Sequence, residues 1–188
     1  MPEYSLTPAA PLAGTDITIV DTHLAAPVDL AIVSVALPLG AEKAAQKAIK
    51  TAYGVALPEV GKSSLAMDGA RIVRLGSDLA FVIFTHPTPD AEPAVAARLK
   101  GAVYTTDQTD VWTALDLSGP NARAALERIC PIDLHPDAFV IGDAARTMME
   151  HLGTLIIRTG DDSYRLMSGS SSAGSFLHAI ETSLSNIA

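Results

Sequence analysis

The chain has 188 residues with a formal net charge of −8, 18% charged residues and 48% hydrophobic residues. That balance is too apolar for a disordered segment, and an acidic chain without a Lys/Arg cluster is a poor match for a phosphate backbone, so nucleic acid is not an expected partner. A single cysteine, Cys130, excludes an internal disulfide framework and any multi-cysteine metal site.

The start, Met1-Pro2-Glu3-Tyr4-Ser5, has no basic and apolar leader pattern, and the longest apolar run, residues 30–39, is interrupted by Ser34 and Pro38. No membrane span is expected and a cytoplasmic location is. Residues 1–27 carry Pro2, Pro8, Pro11, Gly14 and Pro27, too closely spaced for a helix. They read as an extended arm containing one short strand over residues 17–20.

Residues 30–37 form a β-branched apolar run suited to a strand covered on both faces, ended by Pro38 and Gly40. Helical spacing of Ala41, Ala44/Ala45, Ala48/Ile49 and Ala52/Tyr53 predicts a helix over 41–53, with Gly54 as its stop. Two strands follow, over 64–75 and 79–84, joined at Gly76-Ser77-Asp78, and then a helix over 91–99. The second half reads alike. A strand over 111–117 leads through Ser118-Gly119-Pro120 into a helix with Pro at its first position, its buried stripe being Ala122, Ala125, Leu126, Ile129 and Cys130. Strands over 145–150, 154–158 and 163–167 follow, with a turn at Gly160-Asp161-Asp162, and Ser170–Ser172 are expected to cap a last helix.

The halves align. Gly40 and Gly119 are 79 residues apart (119 − 40), Gly61 and Gly142 are 81 apart (142 − 61), and Arg74 and Arg158 are 84 apart (158 − 74). Pro58 falls opposite Pro136. This predicts a duplicated unit of about 80 residues, too long for a solenoid repeat. The expected class is α+β: two tandem ferredoxin-like β-α-β-β-α-type repeats over 28–101 and 102–188, preceded by the arm 1–27. Each copy leaves one sheet face apolar, and two copies bury those faces together.

Few residue patterns point to chemistry. Gly61-Lys62-Ser63 lacks the glycine a phosphate loop needs five positions earlier, where Ala56 stands. Gly169-Ser-Ser-Ser-Ala-Gly174 reads as a serine-capped helix start more than as a phosphate cradle. Among His23, His86, His135, His151 and His178, none pair at helical metal-ligand spacing. His135, between Asp133 and Asp137, is the best acid–base candidate, although such a residue more often shapes a turn. Lys43, Lys47 and Lys50 line one face of the first predicted helix, three of five lysines in an acidic chain, and read as a solvated face or as a surface toward an acidic partner.

From Thr106 onward the sequence carries a more specific pattern. It runs Asp107-Gln108-x-Asp110-x-Trp112, then Leu115-x-Leu117-Ser118-Gly119-Pro120-x-Ala122, Cys130-Pro131-x-Asp133-Leu134-His135-Pro136, and Gly142-x-x-Ala145-Arg146-Thr147. This resembles the gamma subunit of heterotetrameric sarcosine oxidase. The resemblance implies a fold like the folate-binding region of the glycine-cleavage T-protein. It implies direct packing on a large alpha subunit, with beta and delta subunits in the same complex. FAD, FMN, NAD, tetrahydrofolate and zinc are then expected on those partners and none on this chain. It also implies a non-catalytic, assembly-supporting role in a complex that demethylates sarcosine to glycine and passes a one-carbon unit to tetrahydrofolate. Trp112, His135 and Arg146 match the motif and, with the lysine stripe, are the candidate partner-contact residues. T-protein relatives carry an acidic residue where Thr154 and Leu155 stand here, a departure that speaks against the alternative of a stand-alone folate-binding transferase.

Overall fold

The structure is a computed structural model describing residues 9–87 and 89–187. The first eight residues of the predicted arm, Pro2 and Pro8 included, lie outside the described residues.

Eleven strands and four helices are described. They are β1 (Asp16–Ile19), β2 (Thr22–Ala25), β3 (Leu30–Ala36), α1 (Glu42–Tyr53), β4 (Lys62–Leu65), β5 (Arg71–Arg74), β6 (Leu79–Thr85), α2 (Ala91–Leu99) and β7 (Tyr104–Asp107). After them come β8 (Trp112–Ser118), α3 (Ala122–Ile129), β9 (Ala144–Met149), β10 (Leu152–Gly160), β11 (Ser163–Gly169) and α4 (Ala173–Ser185). Two antiparallel sheets result, in the orders β4-β5-β6-β3-β7 and β1-β2-β8-β11-β10-β9. Read from one edge, β4-β5-β6-β3 and β9-β10-β11-β8 follow the chain in the same pattern.

Alternation along the strands sorts the core into layers. In β3, Ala31, Val33 and Val35 pack with Ala45, Ile49 and Tyr53 of α1 and Val95 and Leu99 of α2. Ile32, on the opposite face, joins Val73, Phe81 and Ile83 against Ala114, Leu155, Ile157 and Met167 of the other sheet. That second sheet turns Leu115, Leu117, Ile156 and Leu166 toward Leu126, Phe176, Ile180 and Leu184 of α3 and α4. The molecule is therefore four layers, helices–sheet–sheet–helices, with the sheets face to face.

The sheets also meet edge to edge where β4 approaches β9. Ser63 donates its N–H to Gly142 O (2.6 Å) and Ala144 donates to Gly61 O (2.8 Å), with Lys62 and Asp143 bridged between them. Gly61 and Gly142 have φ of +79° and +95°. A Cβ on either would press the other strand, 3.4 Å from Ala144 O and 3.3 Å from Ser63 O respectively. Glycine is required at both by backbone conformation and close approach together. Lys62 Nζ lies 2.5 Å from the Asp143 carboxylate, which also accepts the Val140 N–H.

Three local readings change. The predicted strand 64–75 is two strands, β4 and β5, folded back at Asp68-Gly69, where Gly69 has φ +86° and Asp68 Oδ1 accepts the Ala70 N–H. Flanking apolar residues Leu65, Ala66, Met67 and Ala70 hid the turn. Pro120 precedes the helix instead of opening it, because Gly119 at φ +132° places Asn121 at the cap and Ala122 first in α3. The arm contributes a second strand, β2, which pairs with β1 and with β8 through His23–Ser118, Leu24–Leu117 and Ala25–Asp116. Strand β7 lies in the first sheet, beside β3, although it follows residue 101. No helix among the described residues is long and apolar enough to cross a membrane.

Candidate functional site

The structure brings two of the sequence candidates together and leaves the others apart. Trp112 begins β8 and lies at the rim of the layer between the sheets. Phe81 of β6 meets its indole edge-on, with ring centroids 5.8 Å apart and planes at 70°. The exposed Arg146 guanidinium of β9 stands 5.9 Å from the Phe81 ring centroid. The stack Trp112–Phe81–Arg146 thus spans both sheets, and Phe81, 3% exposed, is its fixed middle. With Phe81 buried, the half-buried Trp112 and the exposed Arg146 are what reach the surface, an aromatic residue and a cation of the kinds enriched in protein contacts. The Trp112 Nε1–H is buried with no hydrogen-bond partner.

Trp112 also lines a cavity of about 600 Å³ whose walls include Leu12 and Pro27 of the arm, Asp107, Asp110 and Ser170. Ser170–Ser172 form one 3-10 turn, and the Ser170 hydroxyl donates to Asp110 O (2.7 Å), tying it to the 3-10 turn Thr109–Val111 just before β8. Neither Asn121 nor Ser172 makes a side-chain cap bond to its helix.

His135 is exposed in the loop after α3. Asp133 accepts its backbone N–H (2.9 Å), its Nδ1 accepts the Asp137 N–H (3.3 Å), and the Asp137 carboxylate lies 3.6 Å away. These bonds are all local and shape the turn. Lys43, Lys47 and Lys50 are exposed along α1, opposite its buried Ala45, Ile49 and Tyr53. Cys130 is a buried free thiol in the core beneath α3. Thr154 is buried and turns its hydroxyl onto Leu152 O (3.1 Å), while Leu155 is fully buried between the sheets. No group of three metal-binding side chains occurs among the described residues.

Two arginine features escaped the sequence reading. Arg158, 5% exposed, donates to Gly160 O (3.2 Å), Phe139 O (2.7 Å), Asp161 O (2.8 Å) and Pro136 O (3.5 Å). Arg74, its counterpart, donates to Gly76 O (3.2 Å), Pro58 O (3.3 Å) and Ser77 O (2.7 Å). Each guanidinium fastens a hairpin to the Pro-containing loop before it. The matching of Arg74 with Arg158 was in the sequence; the carbonyl partners were not.

The second feature sits between the sheets. Arg165 of β11 holds Asp116 of β8 through two parallel bonds of 2.7 Å, and Arg71 of β5 shares the cleft they line. Burial, and then the Arg165 charge, push the Arg71 guanidinium below its ordinary value, with Asp116 partly opposing them. An isolated Arg in each of two strands, flanked by residues facing the opposite layer, was the available signal.

Residues 39–184 match the sarcosine oxidase, gamma subunit family. The chain is 33% identical over 125 residues to the sarcosine oxidase subunit gamma of an Arthrobacter species, covering 66% of this chain and spanning only 62% of that protein's length. Its fold is similar to a chain of the heterotetrameric sarcosine oxidase from Corynebacterium sp. U-96, at TM-score 0.76 and 24% identity, covering 88% of this chain and 84% of that one. It is also similar to the glycine cleavage system aminomethyltransferase T from Bartonella henselae, at TM-score 0.63 and 17% identity, covering 85% of this chain and 45% of that one. With most of its length matched, this chain belongs to the sarcosine oxidase gamma subunit family.

Proposed function

We propose that this chain is the non-catalytic, assembly-supporting gamma subunit of a heterotetrameric sarcosine oxidase. In this reading it packs directly on the alpha subunit, with beta and delta in the same complex. The partners hold FAD, FMN, NAD, tetrahydrofolate and zinc, and the complex converts sarcosine to glycine while passing a one-carbon unit to tetrahydrofolate. The observation that carries the reading is the family match over residues 39–184. The Trp112–Phe81–Arg146 stack supports it by offering an aromatic and cationic contact surface, and Arg146, Lys43, Lys47, Lys50 and His135 are solvent-exposed side chains a partner could cover.

The same proposal takes the chain as two tandem ferredoxin-like copies, 28–101 and 102–188, behind the arm 1–27, in the manner of a T-protein folate-binding domain. It is supported by the shared order of β4-β5-β6-β3 and β9-β10-β11-β8 and by the matching Arg74 and Arg158 bonds.

Co-expression with a sarcosine oxidase alpha subunit tests the role: the tagged chain should retain that flavoprotein through gel filtration. Failure to associate, or flavin absorbance in the chain purified alone, overturns it. The likeness to aminomethyltransferase T favours a second reading, a stand-alone folate-binding one-carbon transferase. Buried Thr154 and Leu155, which stand where the relatives' acid is expected, weigh against it, and tight binding of reduced folate by the isolated chain in calorimetry would restore it.

A further inference from the structure

Arg71 and Arg165 reach the same cleft, a cavity of about 340 Å³ at the mouth between the two sheets, lined also by Asp116, Ser118, Thr159 and Ser163. Two fixed cations meet one carboxylate there, in a chain whose overall charge is −8. Asp116 is already committed: both its oxygens accept from Arg165. Arg71 is half-buried, and its hydrogen bond is from Nη1 to the neutral Ser63 hydroxyl (3.0 Å). Among the described residues no carboxylate lies within ion-pair distance of it, and its Nε/Nη2 edge has no protein acceptor. Buried charges are as a rule paired, since removing a charge from water costs several kcal/mol unless an opposite charge or hydrogen bonds compensate. The open edge of a guanidinium is also the geometry that takes a carboxylate or phosphate through two parallel N–H···O bonds. Hydroxyls of Ser118, Thr159 and Ser163 on the same walls are further donors for such a ligand.

We propose that this inter-sheet cleft is a binding site for one small oxyanion, a carboxylate or a phosphate, held by the free edge of Arg71 with Arg165 as the second cation. The site is separate from the Trp112–Phe81–Arg146 stack and does not depend on the subunit role. The anion ties β5 of one sheet to β11 of the other, so binding stabilises the contact between the halves.

The test uses the full chain labelled with 15N, titrated separately with sodium acetate and sodium phosphate at an ionic strength held constant with sodium chloride. The expected result is a saturable shift of the Arg71 Nε–Hε resonance and a thermal midpoint that rises with the bound anion. Saturation by acetate alone identifies a carboxylate site; saturation by phosphate identifies a phosphate site. Arg71→Lys, which keeps the charge and loses the fork, should weaken binding about tenfold, and Arg71→Gln should abolish it. Absence of a saturable shift with either anion in the unaltered chain overturns the proposal, as does undiminished binding by Arg71→Gln. The titration of the unaltered chain decides the matter even if the Gln variant does not fold.

Discussion

Gly40 and Gly119 occupy the same place in the two halves, at the turn from the first strand into the first helix, yet they should respond very differently to alanine. Gly40 has φ +78° with nothing within 4 Å of a built Cβ, so Gly40→Ala carries only the left-handed backbone strain, about 1–2 kcal/mol. At Gly119 φ is +132°, and a Cβ would lie 2.6 Å from Asp21 O and 2.9 Å from Thr22 Cα, both backbone atoms. The β1–β2 turn must retreat. That retreat strains the bonds Asn121 makes to it, its N–H to Thr22 Oγ1 (3.2 Å) and its Nδ2 to Val20 O (2.7 Å), each contributing about 1 kcal/mol. It also loosens Leu24, which is fully buried and contributes about 1.5–3 kcal/mol. Gly119→Ala is therefore expected to cost about 3–5 kcal/mol. Urea unfolding of both variants measures the difference, and hydrogen exchange should show the β2 amides losing protection in Gly119→Ala but not in Gly40→Ala. For a chain of this length the thermal midpoint of Gly119→Ala should fall about 5 °C or more below that of Gly40→Ala. Equal costs, within about 0.5 kcal/mol, would show that the hairpin is not seated on Gly119 and would refute the reasoning.

At the bridge between the sheet edges, Lys62→Met leaves the buried Asp143 carboxylate with only the Val140 N–H and should destabilise by about 2 kcal/mol or more, whereas Asp143→Ala leaves Lys62, whose side chain is 44% exposed, to water and should cost about 1 kcal/mol through the lost Val140 bond; chemical denaturation of both variants checks the order. The hydroxyls of Tyr53 and Tyr164 are buried without partners, so Tyr53→Phe and Tyr164→Phe should be neutral or stabilising at pH 7. Burial is the main cause raising both phenols above 10.0, which means the native state holds its protons longer than the unfolded chain. Their stabilisation is complete below about pH 10 and is lost as pH rises from there through the native-state values, and the Phe variants should flatten that alkaline decline in a pH series of unfolding midpoints. Arg158→Lys removes a fork that serves four carbonyls, two of them in the Pro136–Phe139 loop, and should cost about 3 kcal/mol, against a smaller loss for the more exposed Arg74→Lys. Equal losses in thermal unfolding would contradict that ranking.

The parts of the fold that could be read from the sequence are those set by local periodicity. Helix α2 over Ala91–Leu99 and the Gly54 stop of α1, whose φ is +75°, follow from spacing and from one residue's conformational freedom. The pairing of Arg74 with Arg158 and of Pro58 with Pro136 was visible because duplicated loops keep the residues their turns require. Strand β2 was not visible: in Thr22-His-Leu-Ala only Leu24 packs in the helix-side core, too little for an alternating signal. The groupings that join the two sheets were hidden for a different reason. Arg146 meets Phe81 and Arg71 shares a cleft with Arg165 only because two sheets from separate halves stack, and nothing within a window of neighbouring residues encodes which strand will lie opposite.

Each half has its own helix–sheet core, one around Ile49, Val95 and Val33 and the other around Leu126, Phe176 and Leu115. The layer between the sheets is the third and joins them; it includes Ile32, Val73, Leu155, Ile157 and Met167. That central layer is apolar in the middle and carries guanidinium groups near its margins: Arg146 beside Phe81, and Arg71 with Arg165 in the cleft. Water reaches the layer first at those margins, so they are where the two halves would begin to part. A ligand or protein surface that occupies either margin acts on the same equilibrium, the seating of one sheet on the other, and binding there is linked to stability by mass action. This seating fixes the shape of the surface that both sheets build together, and the charged margins are where a bound ligand or protein would act on it.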